Sequence, residues 1–411
     1  MKSLTKIQLS LMMFLQFFIW GGWFVTLGTF LGNNLSATGG QIAMAFSTQS
    51  WGAIIAPVFI GLIADRYFNA EKILGVLHLL GSGLLFLMSQ TNDFTVFYTY
   101  VFSYMVLYMP TLALVNSVSF NQMKDTALEF PLIRTFGTIG WIISGLVISY
   151  VFGWDAQESI VSGALSNTFK MVALASLVLG IFSFKLPKTP PFREGRKSFS
   201  LKSALGWDAL KLLKDRNFLL FFIASILICI PLAFYYQQAN PFLVELGMDN
   251  STAKMSLGQV SEVLFMLLLP IFFVRFGFKN TILVGMMAWV IRYLLFAYGD
   301  VGEKTFMLIS GILLHGICYD FFFVSGQIFT DFKAGEKVKS AAQGLITLAT
   351  YGVGMLIGFW IAGKVSDAFI MRSGKHEWET IWKFPALFAL GVFLLFLFIF
   401  KNEKINYKNQ S

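Results

Sequence analysis

The sequence predicts an all-α integral membrane protein with twelve transmembrane helices in two pseudo-symmetric six-helix bundles. Three observations carry this prediction. Of 411 residues, 56% are hydrophobic and only 13% charged, against about 25% charged in a soluble domain, and 46 phenylalanines exceed what one soluble core of this size can bury. Apolar runs of about 18 residues or more, the length that crosses a bilayer, recur at 7–31, 41–64, 71–89, 94–120, 131–152, 166–185, 218–244, 252–275, 280–298, 305–330, 338–363 and 380–400. The one long connection, 185–217, falls between the sixth and seventh runs. A β-barrel is excluded, because barrel strands alternate in polarity over ~10 residues and these runs are uniformly apolar.

The first run follows Lys2 and Lys6 and reaches Leu31. It is longer than the ~7–15-residue core of a signal peptide, so it reads as a spanning helix. Gly21, Gly22, Pro57, Pro110, Pro231 and Pro270 lie inside runs, which membrane helices tolerate because neighbouring groups satisfy the freed backbone. The implied organisation is an N-terminal bundle over 1–185, a cytoplasmic basic linker over 186–217, a C-terminal bundle over 218–401 and a cytoplasmic tail over 402–411. In the linker, Pro187, Pro190 and Pro191 favour an extended start. Leu201, Leu205, Ala209, Leu212 and Leu213 then recur at helical spacing among lysines. They suggest an amphipathic helix on the inner membrane face, with an ordinary solvated linker as the alternative. The halves repeat, since the run from Pro57 to Gly75 corresponds to that from Pro270 to Gly285, each closing one span and opening the next through a basic turn.

The net charge of +9 is an orientation signal. With both termini on the cytoplasmic side, 22 Lys and Arg face the cytoplasm and 7 face outward, as the positive-inside rule requires. Nucleic acid is not needed to explain the excess. Cys229 and Cys318 have no partner spacing, so neither a disulfide framework nor a metal site is expected. No cofactor is expected, and without a phosphate loop direct ATP drive is excluded.

Six ionisable residues lie well within the runs: His78, Arg134, Glu262, Arg292, His315 and Asp320. Such groups are costly in a membrane and usually line a cavity or pathway. Arg134, Thr138 and Trp141 at i, i+4 and i+7 share one helical face, suited to pairing with a carboxylate or a base carbonyl, donating a hydroxyl and stacking. Gln259 and Glu262 at i, i+3 share another face, where a carboxylate can accept from two ribose hydroxyls beside an amide. Proton coupling calls for a buried carboxylate, and Asp320 and Glu262 are the two that lie well within the runs. Asp320 is assigned the proton and Glu262 the ribose, the reverse assignment remaining open. His315 and Asp320 also form a His-x4-Asp pattern found in acyltransferases, but in an apolar helix an i, i+5 pair diverges, which disfavours that chemistry. His78 reads as a packing histidine, and Arg292, near the outer end of its run, as a side chain snorkelling to the headgroups.

The run GLIADRYFNAEKI, including Gly61, Asp65 and Arg66, resembles the loop motif between helices two and three of the major facilitator superfamily. More specific runs are FLQFFIWGGWFVTLGTF from Phe14, YMPTLALVNSVSF from Tyr108, FPLIRTFGTIG from Phe130, QVSEVLF from Gln259 and DFFFVSGQIF from Asp320, with RYLLFAYGD and SAAQG. In order and spacing they are similar to the nucleoside–proton symporter family within that superfamily. The resemblance implies nucleoside uptake driven by protons in the inner membrane, by a monomer rather than by an enzyme. It implies substrate contacts for Arg134, Thr138, Trp141, Gln259 and Glu262. This chain departs from the family pattern around the same pocket. Ala233 and Tyr236 stand where Gln and Asn can occur, His315 replaces a Tyr, and Tyr319 replaces a Phe. These departures leave the base open, and with it another hydroxylated solute such as a sugar.

Overall fold

The computed structural model describes residues 3–59, 68–190 and 207–403. Gly61, Asp65 and Arg66 of the loop motif and Leu201 and Leu205 of the linker lie outside the described residues. Helix is the regular structure among the described residues, with a single isolated bridge between Ile370 and His376. This follows from the composition, since a helix pairs its backbone groups within its own segment and needs no water.

The chain forms two compact units, Met1–Ser200 with Gly247–Ser256, and Leu201–Leu246 with Leu257–Ser411. In the first, α1 (Ser3–Phe24) and α2 (Leu27–Asn34) share the first apolar run, followed by α3 (Gly39–Phe59), α4 (Ala70–Met88) and α5 (Phe94–Asn121). Next come α6 (Thr126–Leu146), which runs on into a π-helical turn (Val147–Phe152), the short α7 (Gln157–Val161) and α8 (Ser166–Ser183). Phe30, Phe97 and Phe169 pack edge-to-face or tilted at centroid distances of 4.8–5.7 Å, and Trp23 joins them through Phe169 at 5.9 Å. The segment Gly247–Ser256, with α10 (Ser251–Met255), belongs to this unit although it follows α9 (Arg216–Glu245) in the chain. Its backbone is held by side chains. Thr252 N donates to Asp155 Oδ2 at 3.0 Å, Ala253 N donates to Ser149 Oγ at 3.0 Å, and Ser149 Oγ donates to Asp155 Oδ2 at 2.6 Å.

The second unit contains α9 (Arg216–Glu245), α11 (Leu257–Tyr298), α12 (Thr305–Leu313) and α13 (His315–Tyr319). A π-helical turn (Asp320–Val324), α14 (Ser325–Thr347), a second π-helical turn (Leu348–Gly354), α15 (Met355–Ala368) and α16 (Trp378–Ile399) complete it. Trp382 anchors the packing of this unit, stacked on Tyr293 at 5.4 Å and edge-on to Phe242 and Phe296. Lys333 Nζ bridges Asp215 at 3.1 Å and Glu403 at 2.8 Å, tying α14 to both the entry into α9 and the chain after α16. The described part of the expected amphipathic helix is a 3-10 helix (Trp207–Lys214). Its Ala209 is buried against Ala342 and Leu345 of α14.

Ten segments among the described residues are long and apolar enough to cross a membrane. They are consistent with twelve crossings. Ser251–Tyr298 holds two of the expected runs, and the second run falls on α3. Within α11 the reversal between the eighth and ninth runs occurs at Gly277 (φ 75°, ψ 170°), and within α14 a matching one occurs at Gly335 (φ 60°, ψ 178°). That region of backbone space is essentially reserved for glycine, and other residues there cost about 1–3 kcal/mol. Gly277→Ala and Gly335→Ala should therefore each lower the unfolding temperature of the purified protein. Gly391→Ala, in α16 where an added Cβ meets nothing within 4 Å, should leave it unchanged or raise it.

Candidate functional site

In the first unit the expected face on α6 begins deep in the helix. Arg134 lies eight residues after Thr126, the first residue of α6, which is about 12 Å of helix, so it does not mark a helix end. Arg134, Thr138 and Trp141 are all half-buried. The Arg134 guanidinium stacks 4.0 Å over the Phe17 ring, a cation–π contact worth about 0.5–2 kcal/mol. Trp20 sits edge-on to both Trp141 and Tyr108, each at 5.7 Å. One terminal nitrogen of Arg134 and the indole nitrogen of Trp20 are buried without a hydrogen-bond partner. Buried donors of this kind are rare in a finished protein core, and a bound ligand is one thing that satisfies them.

Behind this face lies a closed polar network. His78 is hydrogen-bonded through Nδ1 to Ser176 Oγ at 3.0 Å and through Nε2 to Gln16 Oε1 at 2.8 Å. Gln16 Nε2 donates to Thr111 Oγ1 at 2.7 Å, and Tyr108 OH donates to the Gln16 carbonyl at 2.7 Å. His78 ties α1, α4 and α8 together, the packing role its sequence context suggests.

In the second unit the candidates converge from four elements. Glu262 and Gln259 on α11 are partly exposed. Glu262 Oε2 lies 4.0 Å from His315 Nε2 on α13, and the carboxylate is close enough to Tyr236, Tyr319 and Asp320 to interact electrostatically. The approach of α13 to α11 depends on Gly316. A Cβ there would come within 2.5 Å of the Ser261 carbonyl, and Gly316 N donates to Ser261 Oγ at 3.0 Å. Tyr319 OH and Tyr351 OH are hydrogen-bonded at 2.7 Å. Asp320 opens one π-helical turn and Tyr351 lies in the other, and such turns occur frequently at functional sites. Asp320 is fully buried, with neither carboxylate oxygen hydrogen-bonded. Gln237 is fully buried with both ends of its amide unpartnered.

One expectation needs correcting. Arg292 does not snorkel to the headgroups. It is fully buried, six residues inside the end of α11, and its NH1 donates to His315 Nδ1 at 3.0 Å. A histidine acceptor and an aromatic wall hold the guanidinium inward, its carbon lying 3.5 Å from the Tyr235 ring centroid. The sequence gives no spacing that links Arg292 to His315. In the second unit Tyr351 and Gln237 likewise stand beside the candidates without a motif that marks them, the useful signal being an isolated polar group inside an apolar run, whereas Trp20 of the first unit lies within the run from Phe14. Among the described residues no group of His, Cys, Asp and Glu could hold a metal ion.

Two helical units, each carrying ionisable and unsatisfied polar groups within apolar helices, are the architecture of a multi-pass membrane protein, and the permeases it resembles make it a transporter rather than an enzyme. The family model described as "Nucleoside H+ symporter" matches residues 3–405, and the chain belongs to that family. It is similar to "Putative nucleoside transporter YegT" of Escherichia coli (strain K12), with 40% identity over 97% of this chain and 94% of the relative. It is also similar to a xanthosine permease of the same organism, with 34% identity over 98% of each chain. The crystal structure of the nucleoside transporter NupG matches with a TM-score of 0.86 and 29% identity, over 97% of this chain and 100% of that one. These likenesses bear out the all-α major facilitator fold.

The His78 network yields a test of its structural role. His78→Phe keeps the ring volume but leaves Gln16 Oε1 unpaired, at about 1–3 kcal/mol for a buried polar group, while Ser176 Oγ keeps its bond to the main-chain carbonyl at position 78. The variant should unfold at a clearly lower temperature in a detergent melt, and Ser176→Ala should do so to a smaller degree.

Proposed function

We propose that this protein imports nucleosides by proton symport across the inner membrane, as a monomer with both termini cytoplasmic, alternating access by rocking its two halves. The observation that carries this reading is the pair of carboxylates in the second unit, Glu262 partly open beside His315 and Asp320 buried without a hydrogen bond. An ionised carboxylate with no partner in an apolar site costs several kcal/mol. Proton uptake removes that cost, which supports Asp320 as the coupling group. Glu262, with its carboxylate partly exposed, suits the two adjacent hydroxyls of a ribose.

The remaining roles follow from side-chain chemistry. Arg134 and Thr138 donate to acceptors on the base and Trp141 stacks on it, supported by the unpartnered nitrogens of Arg134 and Trp20. Gln259 reads a base edge through its amide, while Tyr236, His315 and Tyr319 supply aromatic walls and polar edges around Glu262. The xanthosine and nucleoside permeases among the relatives favour a nucleoside over a sugar. The proposed organisation places the bundles at 1–185 and 218–401, with 186–217 as cytoplasmic linker and 402–411 as tail. The loop motif Gly61, Asp65 and Arg66 would act at the cytoplasmic end of the second span.

Radiolabelled uridine in proteoliposomes tests the reading. An inward proton gradient should drive accumulation above equilibrium, and a protonophore should abolish it; accumulation that survives the protonophore would sink the coupling. Asp320→Asn should lose concentrative uptake yet keep uridine exchange, whereas loss of exchange as well would move Asp320 into substrate binding. Glu262→Gln should raise the Kd for uridine about 10-fold to 100-fold, the size of a lost charge-assisted hydrogen bond. Its effect on 2′,3′-dideoxyuridine should be much smaller.

A further inference from the structure

We infer that Arg292 is a positioning residue for the substrate site, acting on Glu262 through His315. The inference rests on the assignment of Glu262 to nucleoside binding, and deepens it by naming what holds that carboxylate in its working state.

The geometry runs in one direction. An arginine side chain only donates, so the 3.0 Å contact from Arg292 NH1 makes His315 Nδ1 an acceptor. An imidazole whose Nδ1 accepts is neutral and carries its proton on Nε2. That nitrogen faces Glu262 Oε2 at 4.0 Å, an electrostatic contact rather than a hydrogen bond. The ring therefore presents a donor edge to the carboxylate and turns its lone pair to the guanidinium. His315 has little freedom to do otherwise. It stacks on Tyr235 at 5.2 Å, and a Cβ at Gly258 would meet its own Cβ at 3.2 Å.

Arg292 is costly to place there. It is fully buried, and its Nε and NH2 have no hydrogen-bond partner. Its guanidinium carbon is walled by Tyr235, Trp289 and Phe296 at 3.5, 5.4 and 5.7 Å from their ring centroids. A guanidinium does not give up its proton, so the charge needs a counter-charge nearby. Glu262 is the carboxylate that His315 connects to it. The arrangement supplies a permanent positive charge at one remove from the substrate, so that no guanidinium takes up the Glu262 oxygens that would accept from ribose hydroxyls. A direct Arg–Glu pair would occupy those acceptor positions instead.

A double-mutant cycle on uridine affinity tests the inference, using the purified full-length transporter and isothermal titration. His315→Phe keeps the stack on Tyr235 and removes both ring nitrogens. His315→Gln can accept from Arg292 and donate towards Glu262. We expect His315→Phe to weaken uridine binding about 10-fold, His315→Gln to recover most of it, and Arg292→Met to match His315→Phe wherever it folds. Combined with Glu262→Gln, His315→Phe should add little further loss. Additive losses in the His315→Phe and Glu262→Gln pair, or unchanged uridine affinity in a folded His315→Phe protein, would overturn the inference. A second readout separates positioning from general support of the fold. His315→Phe should weaken uridine more than 2′,3′-dideoxyuridine, and equal losses for the two ligands would again overturn it. If Glu262→Gln treats uridine and dideoxyuridine alike while the cycle is strongly non-additive, the ribose assignment fails and the Arg292–His315–Glu262 coupling stands.

Discussion

A peptide group in hydrocarbon has no water to bond, and the rest of this structure follows from that constraint. Each spanning segment closes its own hydrogen bonds by coiling, so the described regular structure is helical apart from one short bridge outside the helices. Departures from regular helix then carry information, because a freed carbonyl or amide must find a partner locally. The tight reversals use glycine at Gly277 and Gly335, where the backbone needs a conformation that a side chain forbids. Among the described residues three wider π-helical turns lie elsewhere, and two of them place Asp320 and Tyr351 among the polar groups of the second unit.

The same absence of water governs the side chains. His78 is satisfied on both nitrogens by Gln16 and Ser176 and behaves as a strut between helices. Arg134, Trp20, Gln237 and Asp320 each leave at least one buried polar atom without a partner. In a membrane such atoms are expensive unless a ligand or a proton completes them. Those groups, in helices that otherwise pack aromatic against aromatic, are the ones on which the proposed transport chemistry rests. Arg292 shows the intermediate case: one strong hydrogen bond to His315, a ring beneath the guanidinium, and a carboxylate beyond the imidazole.

Much of the fold was legible in the sequence because hydropathy is a local property. Each of the twelve apolar runs falls on helix where the residues are described, and the family motifs kept their order and spacing. The candidate faces were legible for a related reason, since Arg134, Thr138 and Trp141, or Gln259 and Glu262, share a helix and its period fixes their common side. The linker was harder. Helical spacing around Ala209 suggested a membrane-surface helix, while the described turn buries Ala209 against α14, because a tertiary surface competes with lipid for the same apolar face. The reading of Arg292 as a snorkelling side chain failed because depth in a run says nothing about which neighbour offers an acceptor.

By itself the sequence determined the class of solvent, the order of the apolar helices and the pool of ionisable residues inside them. Each of these depends on residue type and near-neighbour spacing. Only the tertiary structure decided which of those residues meet. Arg292 and His315, Tyr319 and Tyr351, and Gln16 with His78 and Ser176 lie 23 to 98 positions apart and form hydrogen bonds at 2.7–3.0 Å. No period of a helix encodes those separations, because they are set by how whole helices pack.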